Sequence, residues 1–345
     1  MKFGIFDQND WQGGLVCDQY KMRFELASLY EELGFHIYQV SEHHGTPLNT
    51  APSPSVFLAA LSQRTKKLRL GPLVYLLPAY EPLRLAEEIA MLDHLSEGRF
   101  EFGVGKGASP HEMGFFGIPS DEMSPMYVEA LAVITTALAK GVVHHEGRYW
   151  HYDNVEMSVT PLQKPHPPMW VAVGSPESAV WAARNDANVV FGGPAERARP
   201  AFDRYIAERA AAAGRDGVGS RLMGLNRHIF VADTDEAAAA IGRRAWDKFY
   251  ASFIKLWRRF GTQPGNRLPA EFDAVVQSGF AVVGSPETVR RTLARQIEVS
   301  GANFVGGNFV FGDISYDEAR QSIRQFAQQV MPALRTVKTA AAVLA

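Results

Sequence analysis

Cysteine is almost missing from this sequence: of 345 residues, only Cys17 carries a thiol. One cysteine excludes an intramolecular disulfide and a Cys-x-x-Cys metal site. It fits a reducing compartment, and the expectation is a cytoplasmic protein. A strong charge of one sign is missing too. Lys and Arg number 35 against 37 Asp and Glu, a formal net charge of −2. That balance offers no footing for nucleic acid or another polyanion as the main partner. No apolar run is long enough to span a bilayer. The opening Met1-Lys2-Phe3-Gly4-Ile5-Phe6-Asp7 reads as a strand, not as the apolar core of a secretion signal. No Gly-x-Gly-x-x-Gly follows that strand, so the usual dinucleotide fingerprint is absent.

What is present is alternation. Short apolar runs are followed by longer segments with helical periodicity. Lys2–Phe6 precedes a helix in which Phe24, Leu26, Leu29, Tyr30 and Leu33 recur at three- and four-residue spacing, ended by Gly34. Ile37–Val40 precedes Ser55–Gln63, Leu68–Leu77 precedes Leu83–Leu95, and Arg99–Val104 precedes Tyr127–Ala139. In the second half the pairs are Met169–Val173 with Glu177–Arg184, Asn188–Phe191 with Ala195–Ala213, Leu222–Val231 with Asp235–Trp246, and Asn303–Phe311 with Tyr316–Met331. Eight βα units with right-handed crossovers close most simply into a (β/α)₈ TIM barrel, expected as one domain over residues 1–345. A doubly wound open sheet is the second reading. Two insertions interrupt the rhythm: a β-hairpin with its loop at Gly141–Pro167, and an irregular, mobile, lid-like segment at Phe253–Gly279 built around Gly261-Thr262-Gln263-Pro264-Gly265-Asn266.

In such a barrel, chemistry sits where strands end. After the second strand comes Ser41-Glu42-His43-His44, a carboxylate beside two imidazoles, suited to proton transfer. A metal is the weaker reading, since no third ligand is evident. After the fourth strand comes Gly103-Val104-Gly105-Lys106-Gly107-Ala108, whose glycines let backbone N–H groups approach an anion beside the Lys106 charge. After the fifth comes Gly174-Ser175-Pro176-Glu177-Ser178, where Ser175 and Pro176 form a helix start and the hydroxyls of Ser175 and Ser178 can hold a phosphate. Gly284-Ser285-Pro286-Glu287-Thr288 repeats that pattern and is read as a capped helix only. Leu76-Leu77-Pro78 can floor a planar ring or belong to the core.

Ser41-Glu42-His43-His44, Leu70-Gly71-Pro72, Pro82-Leu83-Arg84-Leu85-Ala86-Glu87-Glu88, Ser96-Glu97-Gly98-Arg99-Phe100, Gly174-Ser175-Pro176-Glu177-Ser178 and Val283-Gly284-Ser285-Pro286-Glu287 keep order and spacing across nearly the whole chain. Together they resemble the bacterial luciferase family of flavin-dependent oxidoreductases. The resemblance implies a two-component monooxygenase: reduced FMN from a separate flavin reductase reacts with O₂, and the resulting flavin C4a peroxide oxidises a small organic substrate. It implies His43 as the active-site histidine flanked by Glu42 and His44, Lys106 where the family carries a phosphate-binding arginine, and Ser175 and Ser178 at the phosphate. It also implies a cis peptide joining Leu73 and Val74 beneath the flavin ring, and a homodimer. Gly105 stands where luciferase has a cysteine and Gly174 where it has a glutamate, so light emission is not implied. Coenzyme F420-dependent hydride transfer on the same barrel is the alternative. A flavin-storage protein is a third reading, disfavoured because storage needs no Glu42-His43-His44.

Overall fold

The computed structural model describes residues 1–213, 221–265 and 268–337. Its strands are β1 (Lys2–Asp7), β2 (Ile37–Val40), β3 (Arg69–Pro72), β4 (Tyr75–Leu76), β5 (Phe102–Gly105), β6 (Val142–Glu146), β7 (His151–Glu156), β8 (Met169–Ala172), β9 (Asn188–Phe191), β10 (Met223–Val231), β11 (Ala281–Gly284) and β12 (Phe304–Asn308). The main sheet runs β3-β2-β1-β12-β10-β9-β8-β5-β4, and its strand pairs are parallel. Its two ends, β3 and β4, are one stretch of chain broken at Leu73-Val74, whose peptide bond is cis. That stretch pairs with β2 before the break and with β5 after it, and Leu70 bridges Phe100, so the ring closes through the break. This is the expected barrel, and the open-sheet reading falls away. Closure needs β3 and β5 side by side. A Cβ on Gly71 would lie 2.0 Å from the Glu101 carbonyl oxygen, so only glycine allows that approach.

Several helices start the same way. Pro54–Ser62, Pro82–Leu95, Pro110–Phe115, Pro176–Arg184 and Pro286–Ser300 each begin with proline behind a residue whose side chain accepts a backbone N–H: Ser53, Glu81, Ser109, Ser175 and Ser285. Proline loses nothing at this position, because the first N–H has no partner within a helix. Inside the barrel, Ile37, Trp170, Val190 and Phe304 pack together with Leu73 and Leu222. They come from strands that are not all neighbours, so they meet across the interior. The larger core lies between the sheet and the surrounding helices.

Four elements differ from the sequence expectation. The helix expected at Asp235–Trp246 continues to Arg259, so the first part of the supposed insertion is helical. Phe272–Gln277 is also helical. Asn266 and Arg267, at the centre of that segment, lie outside the described residues. An unexpected strand, β11, pairs with the second half of β10, His228–Val231, which meets the ring-forming part of β10 at His228. An unexpected short helix, Pro110–Phe115, follows β5. The hairpin is present as antiparallel β6–β7. Its connecting loop is held by Glu129, which accepts the N–H groups of Arg148, Tyr149 and Trp150 at 3.0 Å each.

Candidate active site

A cavity of about 520 Å³ opens at the strand ends. Its floor is apolar, formed by Leu73, Val74, Val104 and Val171. Glu42 and His43 line one side; Gly105, Lys106, Gly107, Ala108 and Ser178 also reach it. A Cβ on Gly105 would lie 2.5 Å from the Val74 methyl carbon, so this glycine lets the strand end lie against the cis-bonded pair. Most of the residues singled out in the sequence therefore converge on one space. The exceptions are His44, Gly174 and Ser175, which do not line it.

Ser175 and Lys106 have hydrogen-bond partners of their own. The Ser175 hydroxyl accepts the Ser178 N–H at 3.4 Å, and the Ser178 hydroxyl donates back to the Ser175 carbonyl at 2.8 Å, so Ser175 is occupied in capping. Lys106 donates to the Ser124 hydroxyl at 3.0 Å and is otherwise exposed. At the second Gly-Ser-Pro-Glu motif, Asp235 accepts the Ser285 N–H at 2.6 Å and the Thr288 hydroxyl at 2.9 Å. Those contacts hold the Asp235 carboxyl below its usual range. A carboxylate thus already fills that helix N-terminus, in keeping with a capping role.

The two histidines belong to different carboxylates. His43 Nδ1 lies 3.2 Å from Glu112 Oε1, and Glu112 also accepts the His44 backbone N–H at 2.8 Å. His44 Nε2 lies 2.8 Å from Glu42 Oε1. The other Glu42 oxygen accepts the Leu76 N–H at 3.1 Å and the Tyr80 hydroxyl at 2.9 Å. Glu42 is buried, and burial raises its pKa despite the His44 hydrogen bond and the other donors. The same burial, with the Glu42 charge beside it, pushes the Tyr80 hydroxyl up.

Glu112 is the residue that the sequence reading missed. It sits on the short helix after β5, and Ser109-Pro110-His111-Glu112 carries the Ser-x-x-Glu spacing of a helix start. That signal identifies the helix. It suggests a glutamate folded back on its own N-cap, whereas here the carboxylate reaches His43. Among the described residues, no group of three His, Cys, Asp or Glu side chains is placed to hold a metal. No described helix is long and apolar enough to cross a membrane.

Residues 1–303 match the model of the luciferase-like monooxygenase family. The uncharacterized protein y4wF of Sinorhizobium fredii is 39% identical over 331 residues, covering 96% of this chain and 96% of its own. The oxygenase component of the flavin-dependent trigonelline monooxygenase of Acinetobacter baylyi is 26% identical, covering 98% of this chain and 97% of its own. Among solved structures, the monooxygenase RslO1 from Streptomyces bottropensis is similar with a TM-score of 0.86 at 26% identity, covering 96% of this chain and 99% of that one. The chain belongs to the luciferase-like monooxygenase family and is a flavin-dependent oxidoreductase.

Proposed function

We propose that this chain is the oxygenase of a two-component system, using reduced FMN from a separate reductase, and O₂, to oxidise a small organic substrate. The observation that carries this reading is His43, which lines the cavity while its Nδ1 is held by the buried Glu112. A relative named as an oxygenase component supports the division of labour with a reductase. The residues present suit a flavin. Leu73, Val74, Val104 and Val171 offer an apolar bed for a planar ring, and Lys106 and Ser178 offer a charge and a hydroxyl to a phosphate.

Reduced FMN, when bound, supplies the electrons that activate O₂. The chain supplies position and protons. With Glu112 accepting from Nδ1–H of His43, Nε2 is left to give or take a proton. Glu42 ties His44 to Leu76 at the end of β4, keeping the wall around the cis-bonded pair in place. The apolar lining limits competing water. We further propose a homodimer, which sedimentation at micromolar concentration would test.

The decisive experiment titrates the purified chain with reduced FMN and with reduced F420 in parallel, then mixes the complex with O₂. Tighter binding of reduced FMN and O₂-dependent product formation are expected. Tighter binding of F420, with substrate reduction in the absence of O₂, would replace this reading with hydride transfer.

A further inference from the structure

A separate cavity, of about 380 Å³, shares no lining residue with the one at the strand ends. It lies between the start of the Ala195–Ala213 helix, the Pro286–Ser300 helix and the loop before β11. Glu196 stands on the first helix, Arg291, Arg295 and Gln296 on the second, and Ser278 in the loop. Arg291 and Arg295 are exposed. Glu196 is the one acid among the lining residues, and it lies 3.6 Å from Arg295 Nη2.

A third guanidinium stands behind this wall. Arg227, on β10, is only 2% exposed. Its Nε donates to Gln296 Oε1 at 2.7 Å, and Gln296 Nε2 donates to the Gly279 carbonyl at 3.1 Å. Two residues of the cavity wall, Gln296 and Gly279, thus fix the group in place. Its Nη1 donates to the Asn226 carbonyl at 2.7 Å, and its Nη2 has no hydrogen-bond partner among the described residues. The acceptors it does meet are neutral, and burying a cation without a carboxylate partner is costly. Burial pulls the Arg227 guanidinium down to about 10 although the Glu196 charge acts in its favour, and the group is still a cation at neutral pH.

We infer that this cavity binds a dianion, a phosphate group either free or carried on a small organic body, between Arg291, Arg295 and the buried Arg227. Three guanidinium groups against the single Glu196 carboxylate leave an excess of two positive charges around the space. Planar guanidinium groups with several donors match the oxygens of a phosphate. A bound dianion takes the place of Glu196 beside Arg295 and supplies the counter-charge that Arg227 lacks. None of these groups lines the strand-end cavity, so the site is independent of what that cavity holds.

The test is calorimetry on the full chain at pH 8, in chloride buffer of matched ionic strength, with inorganic phosphate, phenyl phosphate and acetate as probes. Saturable binding of both phosphates, tighter than that of acetate, is expected. Arg295→Ala should weaken phosphate about tenfold, the scale of one charge-assisted contact at an exposed position. Glu196→Gln should tighten it several-fold, because the competing carboxylate is gone. Arg227→Met should weaken it by about tenfold or more. Circular dichroism reports whether that buried variant folds; if it does not, the two exposed variants carry the comparison. The titrations are repeated in Lys106→Ala, which removes the charge that the strand-end cavity offers to a phosphate. Phosphate affinity lost in Lys106→Ala and kept in Arg295→Ala overturns the inference. So does phosphate binding no tighter than acetate, or binding that Glu196→Gln does not strengthen.

Discussion

Glu112 Oε1 lies 3.2 Å from His43 Nδ1, while Glu42, next to His43 in the chain, turns instead to His44. The acid that orients the central imidazole therefore comes from a different βα unit. Replacing it by glutamine keeps a hydrogen-bonding group but removes the charge that favours an imidazolium. Glu112→Gln should lower turnover by about one to two powers of ten, within the usual contribution of acid–base catalysis. Wild-type turnover in the folded variant would reduce Glu112 to a packing residue.

His43 itself is expected to matter for turnover and not for folding or flavin affinity, since Lys106 and Ser178, the groups proposed to meet the phosphate, stand after other strands. His43→Ala should cut turnover by roughly two to four powers of ten. Stopped-flow absorbance after mixing the reduced complex with O₂, with product yield on the same samples, checks this. Wild-type kinetics and coupling in the variant would remove His43 from the mechanism.

The contrast between these two residues marks how far the sequence reaches. His43 was legible because it follows an apolar run whose end had to be a barrel strand end. The Ser-Pro starts were legible for a similar reason: capping chemistry is local, and Ser175-Pro176 announces its helix within two residues. Glu112 was not, because its partner lies 69 residues away, and only closure of the barrel brings β2 and β5 to one mouth. β11 was missed because Ala281–Gly284 is short and pairs off the ring with the end of β10. The helix from Asp235 outruns its expected end at Trp246 because Gly261 and Pro264 break the chain only after Arg259. Leu68–Leu77 reads as one run, and nothing local marks the change of partner from β2 to β5 at Leu73-Val74.

Lys106 reaches the cavity but is tied to Ser124 by a single hydrogen bond at 3.0 Å, so it is available to an anion. Lys106→Ala should weaken reduced-FMN binding by about one to two powers of ten, as loss of a charge-assisted contact suggests. Ser178→Ala should cost less, because its hydroxyl already serves the helix start. Measuring riboflavin alongside FMN isolates the phosphate. A Lys106→Ala variant that loses both ligands equally would place the phosphate elsewhere.

The last prediction concerns Asp10, fully buried just beyond β1. Burial pushes its pKa from 3.8 up to about 7, and the Asp7 charge adds to that. The Arg23 guanidinium and the Gly312 N–H, at 2.7 Å, pull the other way and do not win. Arg23 is already committed to Asp7 at 2.8 Å, which blunts its help. A carboxyl whose folded pKa is raised favours the fold while neutral. Its contribution is therefore complete below the unfolded pKa near 4 and is lost as pH rises through about 7. Asparagine at this position resembles the neutral acid, can still accept from Gly312, and cannot ionise. Asp10→Asn should accordingly match the wild type in urea at pH 4 and exceed it at pH 8 by about 4 kcal/mol, the scale that a shift of about three pKa units represents. Paired urea midpoints at the two pH values decide the matter. A variant less stable than wild type at pH 8 would mean that Asp10 is charged in the fold and that Arg23 is shared between the two carboxylates.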